Sequence, residues 1–402
     1  MAETQQQRPG RATAGQDGPA RPPLWRDVRV LRGVLQVGFL VATVALVQWL
    51  FGNLTSNLDR LGIRRDFTFL DQPAGFSILG APDFRAQDTI QNALLLGLGN
   101  AVRVAILGVL LSLLIGIVVG VARLSKNWLV ARSASAYVEL LRNIPPLVLV
   151  IFFYLGVLAT LPRLTEATFL GDVAIISNRG IWVAWLTFGD GSQPFLTAAA
   201  VALVVALGVA RWRTTVFDRT GTPHRRLLWA AATFAVVTAL AFSVLQPPIE
   251  PSLPVLDGRV VTGGAWLYPE YLSLLLSLVL YASSFIAEIV RGSILAVHKG
   301  QNEAADALGL SSSQRMRYVI LPQALRIAAP AIGNEFLNLT KNVSLGIAVG
   351  FAEILRVANT AAGNGQPAPQ LLIVVLGAYL FLSLIISVIV NVFNRRLQLV
   401  ER

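Results

Sequence analysis

The sequence contains no cysteine, and its only histidines are His224 and His298. Without cysteine the chain can form neither a disulfide nor a thiolate metal site, and two histidines argue against a histidine-based metal centre. The three lysines are followed by Asn127, Gly300 and Asn342. Because the phosphate-binding loop of ATPases requires Ser or Thr after its lysine, the chain carries no such loop. No catalytic site, metal or cofactor is predicted.

Charged residues are also scarce. They make up 14% of the 402 residues, whereas a soluble globular chain carries about a quarter. Hydrophobic residues reach 54%, the mean hydropathy is +0.63, and the apolar residues form long uninterrupted blocks. The basic residues lie in short loops between these blocks rather than on one soluble face, as a nucleic-acid partner would require. The composition therefore predicts an integral membrane protein in contact with lipid.

A helix needs about 20 mostly apolar residues to cross about 30 Å of hydrocarbon. Most of the candidate blocks contain no charge, and the second is predicted to belong to a longer helix that begins near Thr89. We predict an all-α protein with about eight transmembrane helices: Val34–Phe51, Val104–Ala122, Asn143–Leu161, Phe195–Ala210, Leu227–Leu245, Tyr271–Ala287, Ile327–Gly350 and Leu371–Asn394.

Lysine and arginine predict the orientation of these helices, since they are enriched in short cytoplasmic loops. If the N-terminus lies inside, 21 of the 33 basic residues fall in cytoplasmic segments, so both termini are predicted to be cytoplasmic. The tail, residues 1–33, is predicted to be partly disordered because its first 23 residues are rich in Gln, Gly, Pro and Arg. The apolar block at 34–51 lacks a convincing cleavage site and is predicted to be a retained extra helix.

The cytoplasmic loop at 298–322 contains two short helical pieces. Gln301–Leu308 is rich in alanine and is ended by Gly309. Ser311 and Gln314 form a capping box that opens the second piece, and Pro322 is expected to end it. A small-residue helix braced by a second helix can dock into a partner and transmit motion as a rigid body. The alternative is a surface loop that only connects two spans.

The spacing of this loop is characteristic. Glu303-Ala304-Ala305, Gly309, Val319 and Leu321-Pro322 resemble the EAA loop of ATP-binding cassette (ABC) importer permeases, although isoleucine is usual at the position of Val319. Further segments resemble the polar amino-acid uptake branch of that family, which is histidine/glutamine permease-like, and the extra helices resemble the larger permease subunit of general L-amino-acid import systems. The segments that resemble the polar amino-acid branch are Arg123–Ser125, Tyr137–Pro146, Ala287–Gly292, Gly300-Gln301, Leu321–Arg326 and Asn338–Leu345.

The resemblance implies a type I ABC importer permease. Its five-helix core would comprise residues 89–161 and 263–402, with an extra helix at 34–51 and a two-helix insertion at 162–262. The resemblance also assigns coupling to the ATPase to the EAA-loop residues Glu303, Ala304, Ala305, Gly309, Leu321 and Pro322.

The resemblance further implies the partners. These are ATP-binding cassette subunits that supply ATP hydrolysis, a second homologous permease or a second copy of this chain, and an external solute-binding protein. The assembly would move amino acids across the cytoplasmic (inner) membrane of a bacterium by alternating access. It would not be an enzyme in its own right.

The seventh predicted span carries a polar stripe. Asn334, Asn338 and Lys341 fall at i, i+4 and i+7 on one helix face, and Ser344 lies near the end of the span. Polar side chains are costly in the membrane and usually face a wet cavity. We predict that the stripe lines the translocation path, with Lys341 attracting the substrate carboxylate. The alternative is that these side chains bond neighbouring helices or a symmetry-related partner.

Two pairs of charged residues have i, i+3 spacing. Glu288 with Arg291 and Glu139 with Arg142 are both predicted to form local ion pairs. Pro145-Pro146 is predicted to break the third span, which is tolerable where neighbouring groups satisfy the freed backbone. The break would be either a fixed kink or the hinge of a gate.

Other functions remain open from the residues alone. An ion-coupled secondary transporter would require matching repeats and acidic coupling sites at the membrane midplane, and neither is evident in the sequence. A structural or signalling membrane protein would use the helical loop for interaction without transport. Within the ABC family, another small polar solute such as an osmolyte or a peptide could be the substrate.

Overall fold

The computed structural model describes residues 28–62, 66–189, 191–220 and 225–397. The predicted disordered tail lies outside these residues except for its last six positions. The chain divides into two units, residues 1–66 and 67–402. In the first unit α1 spans Val28–Arg60. Its 33 residues extend about 50 Å at about 1.5 Å per residue, which exceeds the thickness of a membrane, and most of its apolar side chains are exposed.

The second unit is built from eleven further helices within the described residues. They are α2 (Ile90–Ala122), α3 (Trp128–Arg142), α4 (Pro146–Ile151), α5 (Gln193–Thr220), α6 (Arg226–Leu245), α7 (Pro269–Leu295), α8 (Lys299–Ala307), α9 (Ser312–Arg315), α10 (Leu321–Asn342), α11 (Ile354–Gly363) and α12 (Ala368–Leu397). Across the described part of the chain, six helices could cross a membrane, or eight if each of two bent pairs forms one span. The predicted helical membrane architecture is confirmed.

Helices α2 and α7 form the centre of the core. α2 begins where the sequence predicted, because the side chain of Thr89 caps it by accepting the amide of Asn92 at 3.2 Å. Near the other end of α2, a methyl group added to Gly120 would lie 2.7 Å from the carbonyl oxygen of Ala287 on α7. The two backbones therefore approach as closely as small residues allow, the usual basis of tight helix packing in membranes.

The third predicted span, Asn143–Leu161, is broken and shorter than expected. α3 ends at Arg142, the helix restarts at Pro146, and the two helices are bent by 102°. α4 then continues as π-helical turns over Phe152–Leu158. The predicted break at Pro145-Pro146 is confirmed, and its physical reason is that the amide-free Pro146 fits the first turn of a helix.

The seventh predicted span ends in a second bend. α10 continues as a 3-10 helix over Val343–Val349, and Gly350 then adopts a left-handed conformation with φ 84°. The short helix α11 follows at an angle of 40°. Its N-terminus is held by Glu353, whose fully buried carboxylate accepts the amides of Leu355 and Arg356 at 2.8 and 2.7 Å.

The helical hairpin α5–α6 was predicted, but the strands around it were not. Within the described residues, eight short strands flank the hairpin in the sequence: β1 (Thr168–Leu170), β2 (Ala174–Ser177), β3 (Gly180–Val183), β4 (Trp185–Phe188), β5 (Ile249–Ser252), β6 (Val255–Asp257), β7 (Val260–Thr262) and β8 (Ala265–Leu267). An antiparallel sheet has the order β1-β2-β3-β8, while β4 pairs with β5 and β6 with β7. Stacked Trp182 and Trp266 join β3 to β8. These strands lie at the end of α7 away from the 298–322 loop.

Candidate functional site

The first helix of the 298–322 loop, α8, is defined by its caps. His298 precedes it, and its Nδ1 accepts the amide of Gly300 at 3.1 Å. At the other end Gly309 has φ 71°, a left-handed conformation that glycine adopts at little cost. Ala305 is buried, whereas Glu303 and Ala304 are exposed. α8 therefore presents an exposed face with the carboxylate of Glu303 on it.

A second helical segment braces α8. The predicted capping box is confirmed, with Ser311 Oγ accepting the amide of Gln314 and the Gln314 side chain accepting the amide of Ser311. Asp306 of α8 forms an ion pair with Arg315 of α9, and Gln323 donates to Gln301 at 3.1 Å. α8 is therefore fixed to the neighbouring helices rather than hanging as a free loop.

Pro322 does not end the second helical piece, contrary to the sequence-based prediction. α9 continues through π-helical turns over Met316–Ile320 directly into α10, which has Pro322 in its first turn. Proline has no amide to donate, and the helix continues past it because the widened π-helical turns over Met316–Ile320 lie immediately before it. Leu321 and Pro322 thus join the loop to the membrane helix, and a buried cluster of Val297, Ile320 and Ala324 lies beside them.

Two exposed apolar side chains on the loop were missed by the sequence analysis. Leu308, at the end of α8, is 78% exposed, and Tyr318 is 63% exposed. Large apolar side chains on an otherwise polar surface are typical of a docking surface. The signal was available in the sequence, because Leu308 immediately precedes the glycine that ends the helix.

The polar stripe on α10 is exposed in the protomer. Asn334, Asn338 and Lys341 all lie on the surface, and Lys341 forms no ion pair with any residue that the structure describes. The opposite side of α10 is packed: Gly333 lies against Val390 of α12 and Leu339 against Gly108 of α2. The stripe therefore faces away from the neighbours of α10 within its own chain.

Ser344 and Glu335 modify this stripe. The hydroxyl of Ser344 donates to the carbonyl oxygen of Lys341 at 2.8 Å, so it is occupied by its own backbone. Glu335, which was not among the predicted path residues, forms a hydrogen bond with the side chain of Asn338. The polar groups of this face thus include a half-buried carboxylate beside the two exposed amides and the exposed ammonium group.

One of the two predicted local ion pairs is present. Arg291 Nη2 lies 2.6 Å from Glu288 Oε1, as predicted. The pair of Glu139 with Arg142 is absent from the described residues, and Arg142 instead lies 3.8 Å from Glu288 Oε2. Arg123, the C-cap residue of α2, forms an ion pair with that same oxygen. Glu288 therefore connects three helices, a connection that local spacing could not indicate.

No metal centre is found in the described part of the chain, where no three His, Asp or Glu side chains lie close enough to hold an ion.

Comparison with known proteins agrees with this architecture. Residues 112–399 match the family of binding-protein-dependent transport system inner membrane components. A relative in Rhizobium johnstonii, the general L-amino acid transport system permease protein AapQ, is 39% identical over 368 residues, covering 91% of this chain and 92% of the relative. The chain belongs to this family.

Another member of the family has a comparable similarity. The glutamate/glutamine/aspartate/asparagine transport system permease protein BztB of Rhodobacter capsulatus is 34% identical over 413 residues, covering 94% of this chain and 96% of the relative. Among solved structures, that of an amino acid ABC transporter with histidines aligns with a TM-score of 0.47 and 20% identity, covering 76% of this chain and 94% of the other. The chain therefore aligns over nearly its whole length with the permeases AapQ and BztB.

Proposed function

We propose that this chain is the membrane-spanning permease subunit of an ATP-driven importer that moves amino acids by alternating access. The observation that carries the proposal is the braced helix α8, which presents Glu303, Ala304 and Leu308 on an exposed face next to the membrane helices α7 and α10. A helix fixed in this way can pass the motion of a docked partner to the spans as a rigid body. The printed names of AapQ and BztB support amino acids as the substrate class.

The ATPase is a separate subunit in this proposal. No lysine of the chain is followed by Ser or Thr, so the phosphate-binding loop must be supplied by a partner that docks on α8. Two ATP-binding subunits would close on ATP and displace the coupling helices, and the path would then open to the outside. A second permease, homologous or identical, would complete the path, and an external solute-binding protein would deliver the amino acid.

The site of action is the cytoplasmic membrane of a bacterium, with both termini in the cytoplasm. The concentration of basic residues in alternate loops supports this orientation. It places α8 on the cytoplasmic side, where ATP is available, and the eight strands on the outer side, where a binding protein would arrive.

A reconstituted system tests this function. The chain would be co-expressed with its neighbouring permease and ATPase genes and placed in proteoliposomes with purified binding protein. We expect amino-acid-loaded binding protein to stimulate ATP hydrolysis. We also expect labelled amino acid to cross the membrane from the side that holds the binding protein to the side that carries the ATPase. Uptake that follows an ion gradient without ATP would instead support a secondary transporter. Stimulation only by an osmolyte or a peptide would show that the substrate is not an amino acid.

The polar stripe on α10 is proposed as part of the path. Asn334, Asn338, Lys341 and Ser344 are exposed or half-buried on a face that no helix of the same chain covers within the described residues. An exposed ammonium group with no ion-pair partner can attract the carboxylate shared by all amino acids. The competing role is contact with a second permease subunit.

Lys341→Ala separates the two roles of the stripe. If Lys341 attracts the substrate, we expect the KM for transport to rise by roughly tenfold in this variant. The reason is that a hydrogen bond between its ammonium group and the substrate carboxylate would contribute about 1.5 kcal/mol or more. The assembly should still elute as the complete complex. A variant that transports normally contradicts the path assignment, and one that loses the second permease supports the interface instead. Lys126→Ala, in the loop between α2 and α3, is the matched control.

A further inference from the structure

A single carboxylate joins three helices at the end of α7 nearest the coupling loop. Glu288 Oε1 accepts a hydrogen bond from Arg291 Nη2 at 2.6 Å, and Glu288 Oε2 forms an ion pair with Arg123, the C-cap residue of α2. Arg142, the last residue of α3, lies 3.8 Å from that same oxygen. Glu288, Arg123, Arg142 and Arg291 are referred to below as the ion-pair cluster.

Glu288 is the carboxylate in direct ion-pair contact with the arginines of the ion-pair cluster, while two others lie nearby: Glu139 lines the cavity beside Arg123 and Arg142, and Glu335 of α10 interacts electrostatically with Arg142. Among the described residues, the three arginines have no other ion-pair partner within 4 Å. Arg123 is only 11% exposed at its side chain, and its Nε donates to Ser135 Oγ of α3 at 3.4 Å. Because an uncompensated buried charge is costly, the position of Arg123 depends on Glu288, whereas Arg142 and Arg291 are more exposed, at 40% and 31%.

Helix α7 connects the ion-pair cluster to the coupling loop. Glu288 lies two turns before the end of α7 at Leu295, and α8 begins four residues later. Val297, between them, is buried against Ile320 and Ala324 of the second segment. A displacement of α8 is therefore transmitted to the end of α7 instead of being absorbed by a flexible linker.

The ion-pair cluster also reaches the break in the third span. Arg142 immediately precedes the segment Asn143-Ile144-Pro145, after which the chain turns by 102° into α4. Its guanidinium carbon lies 4.9 Å from the centre of the Phe285 ring on α7. Arg142 is thus held to α7 by an ion pair and by a cation–π contact, and both contacts are at the point where α3 ends.

The end of α3 borders an open cavity, although further along α3 a hydrogen bond of 2.7 Å between Tyr137 Oη and Ser283 Oγ holds this helix to α7. Gly116 and Gly120 bring α2 against α7 with no free space, whereas a cavity of about 310 Å³ opens beside Arg123, Arg142 and Phe285. α2 and α7 can therefore move together as one body, while Arg142 has room to change its distance from Glu288.

We propose that Glu288 is a positioning residue that transmits displacement of the coupling loop from α7 to the α3–α4 break, with Arg142 as the receiving side chain. The inference rests on the proposed function and extends it, because it assigns to Pro145-Pro146 the role of a moving hinge. The alternative is a purely static role, in which the ion pairs of Glu288 hold the three helices together unchanged throughout the transport cycle.

Arg142→Gln tests this transmission, with Arg132→Gln as the matched control on an exposed position of the same helix. The measurement is the amount of amino acid transported per ATP hydrolysed in proteoliposomes. We expect Arg142→Gln to lower this ratio by roughly 2- to 30-fold, the range of coupling effects between distant sites. The ATPase should remain attached and its basal hydrolysis should persist. Arg132→Gln should leave the ratio unchanged.

Two further variants distinguish transmission from bracing. Arg142→Lys keeps the positive charge beside Glu288 and should restore a substantial part of the ratio. In a double-mutant cycle with Glu288→Gln, the double variant should be no worse than the more damaged single variant, since each single change already breaks the connection between Glu288 and Arg142. An Arg142→Gln ratio equal to that of Arg132→Gln, or strictly additive losses in the cycle, would overturn the proposal.

The proposed function fails in a different way from this inference. If the wild-type assembly neither binds the ATPase nor responds to loaded binding protein, the importer assignment falls and the coupling role falls with it. If wild type is stimulated and coupled normally while Arg142→Gln is coupled equally well, only the role of the ion-pair cluster is wrong.

Discussion

Combining Glu303→Arg with Gly309→Pro should abolish attachment of the ATPase to this permease. The first change reverses the exposed charge on α8. The second forces φ to about −65° at a residue whose φ is 71°, and it removes the amide that Gly309 donates to Asp306 at 2.9 Å. Because central docking residues contribute about 2 kcal/mol or more, we expect affinity for the ATPase to fall by at least about 30-fold. Co-purification and stimulated hydrolysis measure the loss.

The controls for this variant lie on the outer side of the proposed topology. Glu250→Arg reverses an exposed charge on β5, and Gly258→Pro replaces a glycine at φ 60° with open space around it. Both should retain the ATPase. If the coupling-loop variant also retains it, α8 is not the docking helix; if the controls lose it too, the defect is in folding and not in docking.

Replacing the buried Glu353 should give the largest loss of stability. Glu353→Ala removes the cap of α11 and leaves the hydroxyl of Tyr379, which donates to Glu353 at 2.8 Å, without a partner. Loss of a cap costs about 1 kcal/mol, and an unsatisfied buried hydroxyl costs about 1–3 kcal/mol. We expect a decrease of about 2–4 kcal/mol in the free energy of unfolding, with the fastest amide exchange in α11.

Thermal unfolding and hydrogen exchange of the purified subunit measure this effect. Glu166→Ala, at an exposed carboxylate, is the matched control and should change stability by less than about 0.5 kcal/mol. Tyr379→Phe removes one of the three hydrogen bonds to Glu353 and should cost less than Glu353→Ala. Equal unfolding curves for the two Glu→Ala variants would contradict the role assigned to Glu353.

The membrane helices and the loop between α7 and α10 were predictable because their signals are local. Apolar blocks as long as the membrane is thick predicted the spans, and the start at Thr89 followed from an N-cap residue next to a helical block. The C-terminal end of α8 was predictable from Gly309, and the start of α9 from Ser311 with Gln314, whose capping bonds join residues three positions apart. The start of α8 at Lys299, two residues before the predicted Gln301, was not predicted.

Pro322 and the strands show where such local signals mislead. A proline predicts a helix end, but the π-helical turns before Pro322 let the helix continue, and the continuous helix from α9 to α10 is packed through Ile320 and Ala324 against Val297. The strands of the outer region have three or four residues each, too few to reveal an alternating pattern. Their pairing of β3 with β8 joins positions more than 80 residues apart.

The sequence by itself determined that this protein is a helical membrane permease whose loop at 298–322 holds two short capped helices, because span length, capping residues and motif spacing are properties of neighbouring residues. Only the tertiary structure decided that Glu288 binds arginines from α2 and α3, that Glu353 is sealed against Tyr379, and that the stripe of α10 faces away from its own chain. Each of these depends on which helices meet, and burial in the resulting contacts sets which charges and polar groups find a partner.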